Sequence, residues 1–135
     1  MLRPFITKSF IAAGRGADII QTLSLSLAVL KKNHNLVIFP EGTRTRTGLM
    51  GPFKAGIGML IKETDTPIVP VKIKGTYAIW PAGKLPKFPG VGKSRPSITF
   101  GKRLSLRRLI ETGRLASESS EEQIAECLRA LLAEM

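Results

Sequence analysis

Apolar residues recur at three- and four-residue steps in three stretches of this chain, bunch into short runs in three others and alternate with polar ones in a seventh. Ile19, Ile20, Leu23, Leu27 and Leu30 fall on one face of a helix. Asp18 suits its N-cap, and Lys31 and Lys32 lie where the helix dipole favours positive charge. Phe53, Ile57, Leu60 and Ile61 repeat the spacing over residues 53–63. Ile124, Cys127, Leu128 and Leu131 repeat it over residues 119–134, where Ser119-Ser120-Glu121-Glu122 fits a capping box. A shorter helix is predicted over residues 104–110. The apolar runs at residues 9–13, 36–39 and 67–73 are too short for helices, and residues 97–100 alternate, so all four read as strands. Residues 36–39 are apolar throughout, as in a strand covered on both faces. This order predicts an α/β fold, a single layered domain over residues 1–135 with a largely parallel central sheet flanked by helices. Residues 74–96 hold too many glycines and prolines for regular structure and predict a long loop.

With 135 residues, 43% of them hydrophobic, the chain can build a core, which excludes a disordered or fibrous protein. Its 21 Lys+Arg against 10 Asp+Glu give a net charge of +11. That excess favours phosphate-bearing partners: phospholipid surfaces, nucleic acids or phosphorylated metabolites. A single cysteine, Cys127, excludes an internal disulfide and a cysteine-rich metal site and reads as a helix packing residue. No apolar run approaches the ~20 residues that span a bilayer. The start Met1-Leu2-Arg3-Pro4-Phe5 lacks a signal peptide's apolar core, so a cytoplasmic, membrane-peripheral chain is expected.

Candidate chemistry concentrates just after the 36–39 run, in Phe39-Pro40-Glu41-Gly42-Thr43-Arg44. In α/β sheets ligands bind beyond the carboxyl ends of strands. There Arg44 can fork two hydrogen bonds onto a phosphate, Arg46 adds a second cation, and Gly42 lets backbone approach closely. Glu41 either binds a substrate hydroxyl or holds an arginine in place. The bland alternative is a solvated, self-paired turn.

The run from Leu36 to Arg44, then Gly51-Pro52-Phe53-Lys54-Ala55-Gly56, then Pro67-Ile68-Val69-Pro70-Val71 resembles the glycerolipid acyltransferase family, of the lysophosphatidate (1-acylglycerol-3-phosphate) acyltransferase type. The resemblance covers about residues 5–105. It implies an enzyme of phospholipid biosynthesis that moves a fatty acyl group from acyl-CoA or acyl carrier protein to the hydroxyl of lysophosphatidate or a related glycerol phosphate, with no metal or tightly held cofactor. It places Glu41, Gly42, Thr43 and Arg44 in the acceptor site. Arg15, which ends the apolar run before it, becomes a second phosphate contact, and Val69 and Pro70 fall on the acyl-donor side. The family's catalytic signature, a histidine followed five positions later by an aspartate upstream of these motifs, is absent. The one histidine, His34, precedes Phe39 by five positions and reads as an exposed helix-ending residue. Acyl transfer to an alcohol needs a base, and loss of such a base typically costs ~100- to 10,000-fold in rate. The expectation is therefore an N-terminally incomplete acyltransferase fold, inactive alone, with the catalytic pair outside these residues.

Lys72, Lys74, Lys84, Lys87, Lys93 and Arg95 surround the 74–96 loop, with Tyr77 and Trp80 between them. They read as a face for anionic lipid with Trp80 at headgroup level, or as a solvated basic loop with Trp80 folded over the core. Arg103, Arg107, Arg108 and Arg114 read as a solvated helix face. Two other classes stand beside the enzyme: a non-catalytic relative that binds lipid or pairs with another subunit, and a basic nucleic-acid-binding module. With only 6% aromatic residues and no RNA-recognition, zinc or helix-turn-helix pattern, nucleic acid is not the expected partner.

Overall fold

In the computed structural model, which describes residues 19–86 and 95–135, the first periodic stretch forms helix α1, Ile19–Lys31. Its more covered positions, 22, 23, 26, 27, 29 and 30, trace one face and include three of the leucines that predicted it. Ser26 is buried on that face, and its hydroxyl donates to the Thr22 carbonyl at 2.9 Å, which satisfies the polar group locally. The helix ends in a Schellman motif: Asn33 takes a left-handed φ of 57°, its N–H donates to Leu30, and the His34 N–H donates to Val29. His34 is thus the exposed helix-ending residue that the sequence predicts. The strand predicted at residues 9–13, Arg15 and the Asp18 cap lie outside the described residues.

This helix belongs to a unit of residues 1–36; residues 37–135 form a second unit. Helix α2, Gly56–Thr64, begins three residues later than its periodicity predicts and closes on Asp65, at φ 45°, whose N–H donates to the Ile61 carbonyl. Strands β1, Val71–Lys74, and β2, Ser97–Phe100, pair antiparallel with Val71 opposite Phe100. A four-residue helix, α3 (Thr76–Ile79), follows β1 inside the stretch predicted as loop. Helix α4, Leu106–Glu111, is capped by Ser105, whose hydroxyl accepts from the Arg108 N–H. Helix α5, Glu121–Ala133, opens on a capping box as expected, but Ser120 and Gln123 form it, one residue later than the Ser119 and Glu122 of the predicted string. The neighbouring Ser119 hydroxyl instead accepts from the Ala116 N–H.

The core lies where α2, α4 and α5 meet: Ile61, Leu109, Ile124 and Leu128 are buried together, with Phe53, Ile57, Leu106 and Leu131 packed around them. Gly58 lets α2 and α5 approach closely, since a Cβ there would overlap the Glu121 carbonyl oxygen. Lys62 on α2 reaches the Glu121 carboxylate at 3.2 Å across the same contact. Cys127 is half-buried beside the Arg114 carbonyl, and burial pushes its thiol pKa up against the opposing charge of Arg114.

Two expectations are corrected among the described residues. Residues 36–39 carry no regular structure, and Val37 and Phe39 are 83% and 70% exposed rather than covered on both faces. A strand exists only through pairing, and no described segment pairs with this one. The sheet is a two-stranded antiparallel ribbon, so the mixture of helices and sheet holds and the largely parallel arrangement is not seen.

The ribbon carries one irregularity. Ile68 and Leu104 exchange both backbone hydrogen bonds at 2.8 Å, and the Gly101 N–H donates to the Pro70 carbonyl. Residues 102 and 103 therefore stand opposite Val69 alone, a bulge beside the one residue that has no N–H to return.

Candidate functional site

Pro40 and Gly42 turn the chain immediately after Phe39. The Gly42 N–H donates to the Phe39 carbonyl at 3.0 Å, and Gly42 takes a φ of 67° that a side chain would strain. Two bonds of longer sequence span then close the following loop on itself. The Lys54 N–H donates to the Pro40 carbonyl at 2.8 Å, and the Gly51 N–H donates to the Glu41 carboxylate Oε2 at 2.7 Å. Inside the loop the Thr45 hydroxyl accepts from the N–H groups of Thr47 and Gly48, and Gly48 bends back at φ 86°.

The product is an open cleft of about 320 Å³, lined by Glu41, Thr43, Arg44, Arg46 and Lys54 among others. Three cations and one carboxylate share it. Among the described residues the carboxylate pairs with none of the three cations, because its short bond goes to backbone. Glu41 thus ties the loop through the Gly51 N–H rather than holding an arginine, a bond that neither of the roles named from its sequence position includes.

The arginines are held from outside the loop. The Arg44 guanidinium stacks on the Trp80 ring, 4.8 Å from its centroid. The Tyr77 hydroxyl donates to the Arg46 carbonyl at 2.7 Å, and its ring lies against Gly48, where a Cβ would come within 3.0 Å. Trp80 is 53% exposed, and its indole N–H donates to the Lys84 carbonyl at 3.1 Å.

Of the residues that the sequence nominates, Glu41, Thr43 and Arg44 line the cleft and Gly42 makes the turn into it. Arg15 lies outside the described residues. Val69 and Pro70 stand just before β1 and do not line the cleft. Lys54 is the cation that sequence reasoning left without a role, although it stands in the quoted Gly51-Pro52-Phe53-Lys54 string. The grip of Tyr77 and Trp80 on the arginine loop was equally unassigned, and residue spacing carries no signal for it.

The acyltransferase family pattern matches residues 6–74, just over half of the chain and the whole stretch from Arg15 to Pro70. A 1-acyl-sn-glycerol-3-phosphate acyltransferase of Cocos nucifera is 51% identical over 53 residues, which are 39% of this chain and 17% of that protein. One of Limnanthes douglasii is 41% identical over 68 residues, 50% of this chain and 24% of that protein. The 1-acyl-sn-glycerol-3-phosphate acyltransferase alpha of Mus musculus is 32% identical over 85 residues, 62% of this chain and 30% of that protein. The match thus spans under a third of each of these relatives. No solved structure matches the chain. The motifs around the cleft and the matched stretch agree: this chain belongs to the acyltransferase family, among the glycerolipid acyltransferases.

Proposed function

We propose that the cleft binds the phosphate of a phosphorylated glycerolipid acceptor, lysophosphatidate or a related glycerol phosphate, in the acyl-transfer reaction of a longer protein. The observation that carries this reading is the set of three cations, Arg44, Arg46 and Lys54, lining one open cleft whose carboxylate is occupied by the Gly51 N–H. A dianionic phosphate gains most from cations whose charge is not already cancelled, and a guanidinium can meet two of its oxygens at once. Thr43 adds a hydroxyl at the same wall. Arg15 is proposed as a further phosphate contact, and Val69 and Pro70 as part of the acyl-donor side.

In the reaction the acceptor hydroxyl oxygen attacks the thioester carbonyl of acyl-CoA or acyl carrier protein. The carbon–sulfur bond breaks, and the hydroxyl proton passes through a base to the departing thiol. These 135 residues hold no His-x-x-x-x-Asp sequence, and His34 ends a helix at the surface. The base and its orienting aspartate are therefore proposed to come from outside them. Exposed apolar residues on the ribbon, such as Ile98 at 60% and Phe100 at 71%, support a larger, largely parallel sheet in that longer protein. Among the described residues no helix is long and apolar enough to cross a membrane. The basic ribbon and loop support peripheral contact with an anionic membrane, on the cytoplasmic side.

The test is Arg44→Ala in the protein extended upstream to include a His-x-x-x-x-Asp pair. Release of thiol from acyl-CoA is followed with lysophosphatidate as acceptor. The expected outcome is a rise in the acceptor KM corresponding to ~1.5–3 kcal/mol, the usual worth of a hydrogen bond to a charged group. An unchanged acceptor KM discards the assignment.

A further inference from the structure

We propose that Tyr77 and Trp80, three residues apart at α3 and its C-terminal end, are positioning residues that hold the arginines of the cleft ready for an oxoanion. The proposal rests on the reading of the cleft as a phosphate site and adds what preorganises it. Three contacts point from the same short segment to the same loop. The Trp80 ring lies under the Arg44 guanidinium, the Tyr77 hydroxyl holds the Arg46 carbonyl, and the Tyr77 ring packs on Gly48.

The chemistry of stacking gives the arrangement its sense. A guanidinium is flat, with its five N–H donors in the plane and its faces nearly free of hydrogen bonding. A carboxylate partner would consume the in-plane donors, whereas an indole ring engages a face and leaves the edge for a ligand. Arg44 is exposed and would otherwise sample many rotamers. Held against Trp80, it meets a phosphate with part of that freedom already removed, which lowers the cost of binding without adding a contact to the ligand. Trp80 is fixed in turn, since its indole N–H is tied to the Lys84 carbonyl.

The experiment uses sn-glycerol 3-phosphate as probe, with glycerol as the control lacking phosphate, titrated calorimetrically into this chain and into four variants: Trp80→Leu, Trp80→Phe, Tyr77→Phe and Arg44→Ala. Trp80 is the only tryptophan, so its emission in the unmodified chain and in Arg44→Ala reads the stacking directly. The expected results are saturable binding of glycerol 3-phosphate but not glycerol, and a shift of Trp80 emission in Arg44→Ala. Affinity should fall roughly three- to tenfold in Trp80→Leu and be largely restored in Trp80→Phe, as the loss of one preorganised side chain implies. Tyr77→Phe, which keeps the ring and loses the hydroxyl, should fall between them. Far-ultraviolet circular dichroism checks that each variant is folded.

If glycerol 3-phosphate binds the unmodified chain and Trp80→Leu equally well, the positioning role is overturned while the phosphate site stands. If it binds Trp80→Leu and Trp80→Phe with the same reduced affinity, Trp80 only fills space and the role is again overturned. If the folded, unmodified chain does not bind glycerol 3-phosphate, the site and its positioning residues fall together.

Discussion

Arg44 and Glu41 stand three residues apart in one loop, yet each is engaged by a different neighbour, Trp80 for the cation and the Gly51 N–H for the anion. The cleft is positive because three cations line it against one carboxylate, and the separation keeps that carboxylate off the in-plane donors of Arg44. It also gives Glu41 a testable signature. Glutamine preserves an oxygen that can accept from Gly51, whereas alanine leaves the loop untied. We therefore expect Glu41→Gln to keep its affinity for glycerol 3-phosphate within about twofold, and Glu41→Ala to lose it by roughly tenfold, the scale of a charge-assisted hydrogen bond. Titration of both variants checks this, and a Glu41→Gln as impaired as the alanine variant would assign the carboxylate a direct role toward ligand. The position of Glu41 in the sequence announced chemistry but could not choose its partner. Gly51 lies ten residues away, and the closing bond depends on how the intervening loop folds.

Among the elements, α2 and α5 decide whether the second unit holds together, and their contact is closest at Gly58. The obstacle to any side chain there is the Glu121 backbone carbonyl, which cannot swing aside as a flexible side chain could. Gly58→Ala should therefore destabilise the chain by about 2 kcal/mol or more despite alanine's better helix propensity, as overpacking at a rigid contact does. Urea unfolding measures it, and a neutral or stabilising result would show that the helices can slide apart. Much of this level was legible beforehand. The leucine and isoleucine spacing of α1, α2 and α5 placed all three, and the Ser-Ser-Glu-Glu sequence announced the α5 cap. The strand assignments were less secure for a physical reason. A helix satisfies its backbone within itself, whereas residues 36–39 can be a strand only if another strand comes beside them. β1 and β2 meet that condition by pairing with each other, so the 67–73 run and the 97–100 alternation were real signals whose partners the sequence did not name.

Over the whole molecule, 21 cationic side chains outnumber 10 acidic ones, and the few ion pairs described tie the helical part together rather than the cleft. The Lys62–Glu121 pair links α2 to α5 at 3.2 Å. The Glu121 carboxyl lies below the ordinary carboxylate range, first because a backbone hydrogen bond at the start of α5 holds its charged form, then because Lys62 does. A carboxyl depressed in the folded state contributes stability above its unfolded pKa of ~4.3, and that contribution disappears as pH falls through the folded value. The urea midpoint of the unmodified chain should therefore drop on acidification more steeply than that of Glu121→Gln. The variant should be the weaker at neutral pH, with the two converging in acid below both pKa values. Parallel curves across that range would remove Glu121 from the acid response.

The bulge opposite Val69 has a consequence for how this chain can change length. A regular ladder fixes the number of residues between its paired positions, so inserting or deleting one residue reverses which face every later side chain takes. At residues 102 and 103 that rule is already relaxed, because two residues share the space of one. Pro70, next to Val69 and opposite Gly101, offers no N–H for a tighter register to capture. Deleting one of the pair would give the pairing of Ile68 with Leu104 the same residue count as the β1–β2 ladder, and leave the order of α4 and α5 behind it intact. Single-residue length variation among related chains is thus expected to collect here, at the junction between the ribbon and the helices, and to be excluded from the arginine loop, whose closing bonds span fixed counts of residues.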